Sequence, residues 1–190
     1  MKNIFLLSIF SVLASNAVLS FGLGLSHLDQ NIQKERGSKG IPALAMFLSG
    51  ILSWSLVSYF LSFLNIRFLE TLILFPLTVL ICTGTDYLSS KLGLGSLRSQ
   101  GRGSIASYNG LAFVAAYLAV HFAPGLFDAF VISLGSALGF YISALILDAI
   151  RKKSYIEKVP HFIRGTPLLL LSAGLLSLIS VFVAALALLP

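Results

Sequence analysis

The chain has 190 residues, of which 57% are hydrophobic and only 11% charged. Ordinary soluble domains carry about 25% charged residues, and a single water-soluble core of this length has no room for so much apolar surface. Disorder is excluded and a bilayer is the natural solvent. The net charge is +6, from 13 basic and 7 acidic residues. No nucleic-acid-binding motif accompanies that excess, so it is read as membrane topology, with basic residues gathered on the cytoplasmic side.

Six apolar stretches follow one another near residues 4–26, 42–64, 68–88, 104–123, 127–149 and 165–189. Each is close to the ~20 residues that a helix needs to cross ~30 Å of hydrocarbon. Lipid offers no partner to an unpaired backbone group, so the spans are helices. They are also too continuous for the alternating strands of a membrane barrel. The predicted fold is an all-α integral membrane protein of six transmembrane helices in a single membrane domain. The first stretch also has features of a signal peptide. Lys2 precedes an apolar run, and Ser15 and Ala17 stand at cleavage-like positions. Read as the first span instead, it completes the set of six.

The long polar connections 29–40, 89–103 and 151–165 all fall on one side of a six-span chain. They carry Lys34, Arg36, Lys39, Lys91, Arg98, Arg102, Arg151, Lys152, Lys153, Lys158 and Arg164, against Lys2 and Arg67 on the other side. That asymmetry places the long loops in the cytoplasm and both termini outside it. The expected location is a bacterial inner membrane.

The two halves read as an inverted repeat, with repeat one about 1–90 and repeat two about 100–190. Span 1 holds SNAVLSF (15–21) and span 4 holds SYNGLAF (107–113). With three spans in each half, the second copy enters the membrane from the opposite side. Asn16 and Asn109 are the polar residues of interest inside the spans. They are read either as a paired midplane site where the repeats meet or as interhelical hydrogen-bonding groups. GLGLSH (22–27) and Asn109-Gly110 suggest broken helices in spans 1 and 4, since glycine weakens a helix and permits close backbone approach. Gly135 and Gly139 form a GxxxG packing face in span 5.

Glu70, Asp86, Asp128 and Asp148 sit near span ends, where carboxylates can reach water, so no self-contained proton relay is expected. His27, His121 and His161 are scattered, with no metal-ligand spacing, and no GxSxG marks a hydrolase. No catalytic residue and no metal site are expected. The glycine-rich loop 93–103 lacks a P-loop signature and is read as a basic connection near anionic lipid. Cys82 is the single cysteine, read as a small apolar residue packed in a helix.

These features resemble the six-span membrane subunits of the Rnf/Nqr electron-transport complexes, of the RnfA/NqrE type. The C-terminal third carries the resemblance best. Its residues are Val159, Pro160, Phe162, Arg164 and Gly165, followed by Ala173, Gly174, Leu175, Ser177 and Leu178. In span 1, Asn16, Val18, Leu19, Leu23, Gly24 and Leu25 match as well. The resemblance implies a membrane subunit of an ion-translocating electron-transport complex, partnered by other membrane subunits including one of opposite topology. It also implies a [2Fe–2S] cluster, held by cysteines and shared with that sister protein. Here Ser26 and Gly110 occupy the positions of this chain's two cluster cysteines. Cluster iron is normally held by thiolates, so the expectation is a subunit without its own complete ligand set, binding no cofactor alone. An independent solute or ion transporter and a non-redox membrane scaffold are the alternatives.

Overall fold

A computed structural model describes residues 40–61, 70–91, 103–156 and 166–188. Every regular element among them is helical. Helix α1 covers Gly40–Ser55 and runs on through a wider π-helical turn at Leu56–Leu61. Helix α2 is Glu70–Lys91, α3 is Gly103–Phe122, α4 is Leu126–Ile156 and α5 is Thr166–Leu188. These helices fall on the last five of the six apolar stretches. The stretch 4–26, with Asn16 and Ser26, lies outside the described residues.

Local chemistry sets the helix ends. Pro42 and Pro167 stand in the first turns of α1 and α5, where proline's missing N–H costs nothing. Glu70 opens α2 and Lys91 closes it, each charge opposing the nearby end of the helix dipole. Pro124 stops α3, and the chain turns through Ala123–Gly125 into α4. Two backbone bonds close that turn, Ala123 N–H to Ala119 O (3.1 Å) and Ala129 N–H to Gly125 O (3.0 Å).

Pro42–Phe60 and Leu126–Ile150 are long and apolar enough to cross a membrane, whereas the apolar parts of α2, α3 and α5 are shorter. At 1.5 Å per residue the 31-residue α4 is about 46 Å long, beyond the ~30 Å of hydrocarbon. Its last turns carry Arg151, Lys152 and Lys153, and Lys152 pairs with Asp148 at 3.3 Å. The sequence reading ended this span at 149 because it followed apolarity alone.

Helix α1 is the hub, packed against α2, α3 and α4, while α5 leans on α4. The N-terminal half of α1 (Ala45, Met46) shares a buried cluster with Ala137, Phe140 and Ala144 of α4. Its C-terminal half (Trp54) joins Ala129 and Ile132 instead, so α1 and α4 run antiparallel. The buried face of α3 is a stripe of Ala112, Ala115, Ala116 and Ala119. Such small residues let helix backbones approach closely, which drives association in lipid, where apolar burial alone does not. Large side chains point outward instead, among them Leu72, Phe75, Leu80, Leu170, Leu175, Leu178 and Phe182.

One expectation is corrected by the fold. Span 4 was expected to break near Asn109-Gly110, but α3 runs as an unbroken helix from Gly103 to Phe122. A lone helical glycine costs only about 1 kcal/mol. The alanine stripe beginning two residues later, locked onto α1, outweighs that cost.

Candidate functional site

Of the residues singled out in the sequence, Asn16 and Ser26 lie outside the described residues, and only the helical backbone is described at Asn109. Gly110 is half-buried on α3. It immediately precedes Leu111 and Ala112, which belong to the same buried cluster as Cys82 of α2. Cys82 is fully buried among apolar neighbours, and its backbone carbonyl accepts the Thr85 hydroxyl at 2.8 Å. Gly135 and Gly139 are both buried in α4, on its packing face.

The described residues do not fit half of a [2Fe–2S] site. Such a site needs thiolates, and they hold one thiol, Cys82, enclosed by Ala45, Met46, Leu111, Ala112 and the rest of that cluster. Gly110 has no side chain and so offers no thiolate. No group of three or more His, Cys, Asp or Glu residues converges among the described residues.

The helix interface instead holds hydroxyls. Helix α1 approaches α4 closely at Gly50, where an added Cβ would stand 2.8 Å from the Ser133 Cβ. Around that crossing lie four buried serines, Ser49 and Ser53 on α1 and Ser133 and Ser136 on α4. The Ser49 hydroxyl lies 2.9 Å from its own helix's Met46 O and 3.0 Å from Ala112 O of α3. The longer contact ties α1 to α3 just beyond Gly110. The Ser133 hydroxyl donates to Ala129 O at 2.7 Å. The Ser53 and Ser136 hydroxyls are buried with no hydrogen-bond partner among the described residues. None of these serines was singled out in the sequence. Their signal was there as small polar residues on the inward faces of two apolar helices, but serines are too common in spans to stand out.

At one end of the bundle the polar groups are larger. Trp54 donates its indole N–H to Ala123 O at 3.0 Å, pinning the α3–α4 turn to α1. Tyr59, in the π-helical turn, meets the Trp54 ring edge-on at 6.1 Å. Glu70, at the start of α2, faces His121 in the last turn of α3, with Oε1 3.5 Å from Nδ1. Glu70 stands at a span end, as the sequence suggested, with its side chain 18% exposed, while its Oε1 atom is buried and accepts no hydrogen bond among the described residues. The His121 ring stacks on Tyr117 at 4.1 Å, and Tyr117 in turn stacks on Phe113.

Comparison with known proteins supplies what this geometry alone does not. No protein-family model matches the chain. Three curated relatives match it over 182 residues each, and all three are named as the A subunit of an ion-translocating oxidoreductase complex. The protein of Colwellia psychrerythraea is 26% identical, covering 94% of both chains. That of Pasteurella multocida is also 26% identical, covering 94% of this chain and 95% of its own. That of Escherichia fergusonii is 25% identical, with 94% of each covered. With its apolar helices the chain is a membrane protein, and it is similar over 94% of its length to proteins named as the A subunit of an ion-translocating oxidoreductase complex.

Proposed function

We propose that this chain is a membrane subunit of an Rnf-type ion-translocating electron-transport complex, and that it works there without its own complete set of iron–sulfur ligands. The observation that carries the reading is the end-to-end similarity, 94% of the chain against relatives whose names describe that subunit. The single cysteine of the sequence, buried in α2, supports the second half of the proposal. The redox chemistry then belongs to partner subunits. This chain contributes a packed helical body for a sister membrane subunit of opposite topology to assemble with, in a bacterial inner membrane.

The same reading keeps six spans in two inverted halves, with both termini outside the cytoplasm. The two helices that cross at Gly50 and Ser133 support it. Leu48-Ser49-Gly50-Ile51-Leu52-Ser53 of α1 parallels Leu134-Gly135-Ser136-Ala137-Leu138-Gly139 of α4. In each segment the second, third and sixth residues are small and buried, and the fifth is an exposed leucine. Each helix is the second of its three-span half, and the two pack antiparallel, as a pseudo-two-fold axis in the membrane plane requires.

The test is affinity purification of the full chain from native membranes in mild detergent, with co-purifying proteins identified by mass spectrometry. Flavin-bearing and iron–sulfur subunits of an Rnf-type complex are expected alongside it. Recovery of the chain alone, or only with copies of itself, rejects the reading in favour of an independent transporter or scaffold.

A further inference from the structure

From the Glu70–His121 pair we infer a divalent transition-metal site that bridges the start of α2 and the end of α3. It is suited to Zn²⁺, Cu²⁺ or Ni²⁺, the cations that imidazole and carboxylate take together. The donor spacing is the first argument. Oε1 and Nδ1 are 3.5 Å apart, beyond the 2.7–3.2 Å of a normal N–H···O bond. Two donors at Zn–N and Zn–O lengths of 2.0–2.2 Å and a tetrahedral angle stand about 3.4 Å apart. That separation suits two donors sharing one ion as well as it suits a direct ion pair between imidazolium and carboxylate.

The surroundings are the second argument. Among the described residues the buried Glu70 Oε1 atom accepts no hydrogen bond, which is costly for a carboxylate oxygen unless a cation faces it. Stacking on Tyr117 at 4.1 Å and 24° fixes the plane of the imidazole, as a metal-binding histidine requires. The His121 side chain is 41% exposed, so an ion can enter and water can complete its coordination. Tyr59 of α1 and Asp128 of α4 lie towards the same end, and neither forms an ion pair with His121. A bound ion clamps α2 to α3 across the bundle end, and this stands whether or not the chain serves an Rnf-type complex.

The experiment titrates Zn²⁺ into the tag-free full chain in detergent near neutral pH, by calorimetry, with His121→Phe and Glu70→Gln beside the wild type. His121→Phe keeps a ring to stack on Tyr117, and Glu70→Gln keeps the shape of the side chain. Each variant is expected to weaken one Zn²⁺ site by ~10-fold or more while circular dichroism stays that of the wild type. Unchanged binding in both overturns the site. Loss in His121→Phe with none in Glu70→Gln also overturns it, since that is a lone imidazole. If either variant fails to fold, the wild type alone decides through diethylpyrocarbonate labelling of His121, read by mass spectrometry. Zn²⁺ is expected to protect His121, and equal labelling with and without the ion rejects the proposal.

Discussion

Helices α4 and α5 are both long and apolar, yet they are built for different neighbours. On α4, Ser133, Gly135, Ser136, Gly139 and Ala144 are buried together with the larger Ile132, Phe140 and Leu147. Among the α5 residues whose burial is described, Leu169, Ala173 and Ser180 are buried, while six leucine, isoleucine and valine side chains stand exposed at positions 170, 171, 175, 178, 179 and 181. The contrast teaches that hydropathy locates a span without saying what it packs against. In a bilayer, large aliphatic side chains are as content with lipid as with protein, so the small residues are what mark a helix–helix contact. Glycine makes the point most sharply. At Gly50 an added Cβ collides with Ser133, whereas at Gly174 it meets nothing within 4 Å.

Gly50→Ala is therefore the substitution expected to disturb the interior most. Its new methyl overlaps the Ser133 side chain, and the neighbouring contact is the α4 backbone at the Ser133 Cα, 3.5 Å away. Overpacking of this kind costs about 1–3 kcal/mol, and thermal unfolding in detergent should show the loss. The double variant Gly50→Ala/Ser133→Gly should recover part of it, because the two side chains compete for one space. A wild-type melting temperature in Gly50→Ala means that α1 and α4 stand further apart than this crossing implies.

The unpartnered hydroxyls give a second, smaller effect of opposite sign. Ser53 and Ser136 are buried, and their Oγ atoms have no hydrogen-bond partner among the described residues. Removing such a hydroxyl relieves a desolvation cost of about 1 kcal/mol or more, at the expense of a very small cavity. Ser53→Ala and Ser136→Ala should each match or exceed the wild type in thermal stability. Ser49→Ala should fall below it, because that hydroxyl reaches Ala112 O on the neighbouring helix. If all three alanine variants lose stability alike, Ser53 and Ser136 have partners after all and the distinction among these serines fails.

The sequence was legible where one physical force dominates. Apolar length alone located α1 to α5 to within a few residues at most ends, and the GxxxG glycines of α4 lie on a buried face as expected. Reading failed where several forces compete. Gly110 suggested a broken helix, but helix propensity is a weak term beside the alanine packing that follows it. The apolar span near 127–149 matches Leu126–Ile150, but the helix itself runs on to Ile156, since a helix can continue into water with its lysines paired, as Lys152 is with Asp148. Glu70 and His121 are 51 positions apart, and nothing in their local sequence says that antiparallel α2 and α3 bring them together. The Gly50–Ser133 crossing was hidden for the same reason, being a matter of which faces meet.

The smallest effect probes the outer side of the comparison. Gly174 is exposed on α5, with open space where a Cβ would go. In a helix, glycine to alanine is worth at most about 0.5–1 kcal/mol in stability, and in detergent the gain is smaller still if α5 keeps its helix after unfolding. Gly174→Ala in the isolated chain should thus leave the melting temperature unchanged or slightly raised. The same variant becomes more informative inside an assembly. An exposed small residue between Leu171 and Leu178 admits close approach by another helix, and a methyl there hinders that approach without touching this chain's own core. Normal stability alone combined with weakened recovery of a partner membrane subunit would place that partner on α5. Normal stability with undiminished recovery would leave this face of α5 to lipid.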